Sequence, residues 1–144
     1  ANSDYVLYLK ALATLNQRDT IFTALLTQDI YERDSDAART AFDTFKELVE
    51  RFPQSRYAHE ARRRMHELVL SQAHSEYNIA KFYYDRHAYV AAIERAQNVV
   101  RTFQQTPYSD DALKLIRDCY EQLGVKDLES DVNRVIELNQ NRER

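Results

Sequence analysis

Three histidines near the middle of the chain are the first residues whose chemistry could define a function, since imidazole is a common metal ligand. His59, His66 and His74 lie at positions i, i+7 and i+15 of one predicted helix. A helix brings two ligands together at i and i+3 or i+4. The segment HEARRRMHEL has no histidine four residues after its first one, as a zinc-protease motif requires. The spacing therefore predicts surface or interhelix histidines and no metal site.

Nucleophilic catalysis by a thiol would require a cysteine, and the chain contains one. Cys119 is the sole cysteine, and its surroundings, LIRDCYEQL, predict a small and buried helix residue. The chain contains 1 glycine, so neither a strand-to-helix nucleophile turn nor a phosphate-binding loop is expected. We therefore predict that the protein is not an enzyme and that it needs no cofactor.

Charge is evenly mixed along the chain, with 20 basic and 23 acidic residues and a net charge of -3. Nucleic-acid binding usually needs a clustered basic face. The best candidate, Arg62 to Arg64, consists of consecutive residues that point about 100° apart on a helix, so they form a solvated surface. We predict no nucleic-acid partner. No apolar run approaches the length of about 18 residues that a membrane span needs.

The shortage of turn residues, with 1 Gly and 2 Pro, predicts an all-α fold. A reversal is expected at HAY, near His87, and Gly124 is placed to end a helix. In the first helix, Tyr5, Leu9, Leu12 and Ala13 recur at helical spacing. The segment 18–34 interrupts this pattern with an apolar knot, Ile21 to Leu26, and residues 139–144 are expected to fray. Helices are expected to begin at the caps Ser3, Ser35, Ser55 and Ser109.

A degenerate repeat relates the second helix of each predicted pair. A small residue is followed by apolar residues about four and seven positions later, as in Ala41, Phe45 and Leu48 and again in Ala92, Ala96 and Val99. Glu129, Asn133 and Ile136 form a weaker third copy. The interval from position 92 to position 129 is close to the roughly 34 residues of a tetratricopeptide (TPR) repeat. We predict one α-solenoid, a TPR-like right-handed superhelical array of about three antiparallel helix pairs, with units of about 2–53, 55–104 and 108–140.

The aromatic-rich stretch YNIAKFYYDRHAYVAAIER fits this arrangement in part. Ile79, Ala80 and Tyr83 are expected to face the alanines of the returning helix, because large side chains pack against small ones when two helices approach closely. Tyr77, Lys81 and Tyr84 form a second stripe. Two interpretations stay open for it: packing against a neighbouring repeat, or an exposed aromatic platform on the concave side.

Three stretches together carry a family resemblance: SDYVLYLKAL, ERFPQSRYAHEA and the unbroken helix that leads into EYNIAKFYYDRHAYVAAIER. The chain resembles the C-terminal part of the BamD family of TPR lipoproteins, which belong to the bacterial machinery that assembles outer-membrane β-barrels. It departs from the family at Gln104 and Gln105, where proline is usual, and at His87, where glycine is common. The resemblance implies a location on the periplasmic face of the outer membrane. Membrane attachment is then expected only through an N-terminal lipid anchor absent from this chain.

The resemblance also implies partners and a docking surface. The expected partners are a POTRA domain of the barrel subunit BamA and accessory lipoproteins of the BAM complex, together with unfolded outer-membrane protein substrates. Arg95 matches a basic residue that faces the POTRA domain in the family, and its guanidinium can bind a carboxylate through two hydrogen bonds; the alternative is a solvent-facing charge paired with Glu94 or Asp85. Arg86 and Asp85 are expected at the rim, and Tyr84, Lys81 and Tyr77 complete the predicted surface. A general TPR adaptor that binds extended peptides in its concave groove is the alternative function.

Overall fold

The structure is a computed structural model that describes residues 2–21 and 28–144, with side chains described for residues 2–16 and 36–144. The described residues form six α-helices: α1 (Ser3–Ile21), α2 (Gln28–Arg51), α3 (Ala58–Asp85), α4 (Tyr89–Thr102), α5 (Pro107–Leu123) and α6 (Lys126–Arg142). The all-α prediction is confirmed. The chain divides into two compact units, 1–69 and 70–144, and the division falls at a residue of α3. The division into three repeats stays a prediction. None of the described helices is long and apolar enough to cross a membrane.

Several helix boundaries differ from those predicted at serine caps. α2 begins at Gln28 rather than Ser35, because no proline or glycine interrupts the residues before it. Of the predicted apolar knot, Ile21 ends α1, and the rest lies within residues 22–27, outside the described residues. α5 begins at Pro107 rather than Ser109, since proline lacks an N–H that the first helical position would leave unpaired. α6 continues to Arg142 and so includes most of the segment for which fraying was predicted.

The predicted long helix is present as α3, whose 28 residues span about 42 Å. α2 ends at Arg51, just before Pro53, and Ser55 then organises the turn into α3. The Ser55 hydroxyl accepts a hydrogen bond from the Tyr57 amide at 3.2 Å and donates one to Asp4 at 2.6 Å. The start of α1 is therefore tied to the turn between α2 and α3.

The core of the first unit lies between α1, α2 and the first half of α3. Ala41, Phe45 and Leu48 are fully buried, which confirms the predicted stripe on α2. The predicted stripe on α1 is wrong in part, since Leu12 packs on the core whereas Tyr5, Leu9 and Ala13 are exposed. The residues of this helix that pack on the core are Leu7, Tyr8, Ala11, Leu12 and Leu15. This helix is apolar on more than one side, so its pattern alone does not select the buried face.

The second unit contains a core of small and large residues in alternation. Ala80 of α3, Ala96 and Val99 of α4 and Ala112 of α5 are fully buried in one cluster. Ala92, Ile93 and Cys119 form another cluster, against which Tyr83, Tyr84, Tyr89 and Tyr120 pack. The predicted packing of tyrosine against alanine is thus present. None of the residues of α6, all of which the structure describes, is buried; Glu129, Asn133 and Ile136, the predicted third copy of the repeat, are half-buried.

Candidate protein-docking surface

The turn between α3 and α4 is held in one conformation by backbone hydrogen bonds around His87. The His87 amide donates to the Tyr84 carbonyl at 2.9 Å, and the Ala88 amide donates to the Tyr83 carbonyl at 3.0 Å. His87 adopts a φ of 61°, in the left-handed region that favours glycine. Its Nδ1 lies 2.7 Å from the Tyr89 hydroxyl, so the side chain also binds within the turn. The turn thus has the glycine-type geometry with a histidine at the key position.

Arg86 is exposed at the end of α3 and stacks on an aromatic ring one helical turn earlier. Its guanidinium carbon lies 3.4 Å from the centre of the Phe82 ring, and its Nη1 donates to the Phe82 carbonyl at 3.3 Å. The Phe82 ring is 49% exposed and meets Tyr83 edge to face at 5.7 Å. A cation stacked on an exposed ring offers both charge and apolar area to a partner. Phe82 was absent from the predicted surface, although its spacing of i and i+4 from Arg86 could have indicated the pair.

Arg95 projects from α4 with its side chain 48% exposed, and it forms an ion pair with Glu76 of α3. The Nη1 of Arg95 lies 3.9 Å from the Oε2 of Glu76, whose side chain is 30% exposed. Glu76 Oε2 is itself buried and has no hydrogen-bond partner. The intrachain partner of Arg95 is therefore Glu76. The sequence-based candidates were wrong: Glu94 is next to Arg95 on α4, and Asp85 ends α3 nine residues beyond Glu76, about 13.5 Å along the helix.

Tyr77 and Tyr84 are half-buried against the core cluster of the second unit rather than fully presented to solvent. Tyr77 packs against Tyr108 at 6.2 Å, and Tyr84 meets Tyr89 edge to face at 5.6 Å. Burial raises the pKa of both hydroxyls above the ordinary tyrosine value. These contacts favour the packing interpretation of the stripe, while Lys81 is left exposed between the two tyrosines.

The exposed members of the predicted surface lie along the last two turns of α3 and on α4. Lys81, Asp85 and Arg86 are all exposed. Glu76, the partner of Arg95, is nine residues before Asp85 at the end of α3, which corresponds to about 13.5 Å along the helix axis.

The other groups with chemical potential are placed as packing or surface residues. His59 and His66 are exposed, and His74 stacks on Tyr108 at 5.0 Å. Among the described residues, no three histidine, cysteine or acidic side chains are arranged to share a metal ion. Cys119 is buried, and this burial raises the pKa of its thiol to about 11, so the thiol is neutral at physiological pH.

A family model described as YfiO, an outer membrane lipoprotein, matches residues 1–135. The chain belongs to this family. Membership of the YfiO family confirms the predicted TPR-like fold class and the location at the outer membrane, on its periplasmic side.

Relatives within the YfiO family match nearly all of this chain. A protein of Neisseria meningitidis serogroup A is 40% identical over 138 residues, which are 96% of this chain and 52% of the relative. A protein of Xylella fastidiosa strain Temecula1 is 37% identical over 139 residues, 96% of this chain and 47% of the relative. A Vibrio cholerae protein is 34% identical over 136 residues, 94% of this chain and 56% of the relative. All three are named outer membrane protein assembly factor BamD. The chain spans about half the length of these curated relatives.

Proposed function

We propose that this chain is a non-enzymatic scaffold in the assembly of outer-membrane proteins, and that it docks the membrane-proximal POTRA domain of the barrel subunit BamA. Membership of the YfiO family, with relatives named assembly factors, is the observation that carries the proposal. Accessory lipoproteins of the same machinery would bind other surfaces of the chain, and unfolded barrel proteins would be the substrates of the whole assembly.

The docking surface in this proposal is the exposed end of α3 together with the neighbouring part of α4. Arg86 stacked on Phe82 supplies an apolar contact with a charge above it, and Arg95 supplies a second cation. Arginine and aromatic residues are the side chains most often responsible for the affinity of protein interfaces. Both arginines can bind partner carboxylates through two parallel hydrogen bonds, which fixes the orientation of a folded domain.

The test is calorimetric titration of this chain with the membrane-proximal POTRA domain of BamA from the same organism. Arg95→Gln and Phe82→Ala should each weaken binding by at least about tenfold, since a desolvated interfacial charge or aromatic anchor contributes about 1.4 kcal/mol or more. Arg101→Gln is the matched control, because Arg101 is an exposed arginine in the last turn of α4. It should leave the affinity within about twofold of the parent value.

Two results would contradict the proposal. Absence of binding by the parent chain would remove the POTRA domain as the partner. Equal losses for Arg95→Gln and Arg101→Gln would show that the affinity depends on total charge and not on this surface. If an extended peptide binds where the domain does not, the peptide-adaptor function replaces the scaffold function.

A further inference from the structure

The ion pair between α3 and α4 joins two groups that differ in their exposure to solvent. Arg95 is half exposed, whereas the facing oxygen of Glu76, Oε2, is buried and has no hydrogen-bond partner. The distance of 3.9 Å between Arg95 Nη1 and Glu76 Oε2 is too long for a hydrogen bond, so the two groups attract each other only through their charges. Glu76 therefore lowers the positive potential at Arg95 while leaving this Nη1 free to bind another carboxylate.

We propose that Glu76 is an intrachain competitor for Arg95 and that it limits the affinity of the docking surface for a partner carboxylate. This inference rests on the proposed docking function. A carboxylate that approaches Arg95 is attracted by the guanidinium and repelled by the fixed negative charge behind it. Glu76 thereby selects partners that offer a well-oriented carboxylate, able to form two hydrogen bonds with the guanidinium, over partners that offer only diffuse negative charge.

Replacing the Glu76 carboxylate by an amide of nearly the same shape isolates the effect of its charge. Exposed and half-exposed ion pairs are weak, so the gain is modest: we expect Glu76→Gln to raise the affinity for the POTRA domain by about twofold to fivefold. The gain should shrink in high salt, because salt screens the repulsion that the substitution removes. Glu76→Met, which also lacks the charge, should change the affinity in the same direction.

The experiment is a double-mutant cycle by calorimetry with the parent chain, Glu76→Gln, Arg95→Gln and the double variant. Glu94→Gln is the matched control, since Glu94 is an exposed acid next to Arg95 in sequence and its removal changes the net charge equally. We expect no gain from Glu94→Gln. We also expect no gain from Glu76→Gln in the Arg95→Gln variant, because no guanidinium is then present for Glu76 and the partner carboxylate to compete for. Thermal melting of each variant provides the folding control.

The outcomes separate this inference from the function on which it rests. If the parent chain binds and Glu76→Gln lowers the affinity, Glu76 positions Arg95 instead of competing for it, and the inference is wrong. If Glu94→Gln gives the same gain, the effect comes from net charge, and the inference is again wrong. If the parent chain does not bind the domain at all, the proposed function itself fails, and the competitor inference falls with it.

Discussion

The left-handed backbone at His87 allows a stability prediction whose sign depends on conformation alone. Glycine has no Cβ to clash in this region, whereas any other residue pays roughly 1–2 kcal/mol. Glycine in turn loses roughly 0.5–1 kcal/mol more backbone entropy on folding than alanine does. The difference predicts that His87→Gly is more stable than His87→Ala by about 1 kcal/mol. Both variants lose the contact between the imidazole and Tyr89, so the comparison cancels that contribution.

Ser75 provides the matched control, because it is exposed in the interior of α3, the helix that precedes this turn. There the order should reverse, with Ser75→Gly less stable than Ser75→Ala by about 1 kcal/mol, since glycine is the poorer residue inside a helix. Gly124 supplies a second comparison: its φ is 71° and no atom lies within 4 Å of an added Cβ. Gly124→Ala should therefore cost about 1 kcal/mol through backbone conformation alone and not through a steric clash.

The assay is urea unfolding followed by far-ultraviolet circular dichroism, which reports the helix content. A shift of the midpoint with an unchanged slope would show that stability, rather than the extent of unfolding, has changed. If His87→Gly is no more stable than His87→Ala while the Ser75 pair behaves as expected, the αL conformation does not limit stability at this turn, and the reasoning is refuted.

Two further predictions concern titration and thiol chemistry. The hydrogen bonds from Arg63, and after them those from Arg64, hold the pKa of Glu60 at about 2, below its ordinary value of 4.5. Because this pKa is lowered in the folded state, the stabilisation is complete above about pH 4.5 and is lost as the pH falls toward 2; melting temperatures across this range should therefore decline less for Glu60→Gln than for the parent chain. Equal declines would show that Glu60 is not the responsible group. Burial of Cys119 predicts that a disulfide-exchange reagent modifies the thiol at pH 8 only as fast as the unit opens; immediate modification of the native chain would contradict its burial.

The sequence was sufficient for the parts of the fold that depend on strong local signals. Helices end just before Pro53 and Gly124, as expected. The stripe of Ala41, Phe45 and Leu48 is buried because only one face of α2 is apolar. The orientation of α1 could not be predicted in the same way. Tyr5 and Leu9 repeat at helical spacing, but so do Leu7 and Ala11, and only contact with α2 and α3 decides which set is buried.

The candidate surface was predicted in part for similar reasons. Arg86 and Arg95 are exposed as expected, since arginine is almost never fully buried unless it is paired. Their neighbours depend on tertiary structure. The pairing of Arg95 with Glu76 depends on how α4 lies beside α3 after the turn, and no residue spacing within one helix reveals it. The sequence left open whether Tyr77 and Tyr84 are packed or exposed, because their burial depends on contact with a cluster that includes residues of α5.

The lack of any buried side chain in α6 has a consequence for how the chain responds to its surroundings. A helix that rests on its neighbour through half-covered residues gains little from the hydrophobic effect, so detaching it costs less free energy than opening α4 or α5. We therefore expect α6 to detach at a lower free-energy cost than α4 or α5. Such a segment can adjust to whatever lies beside it while the alanine-rich centre keeps its shape.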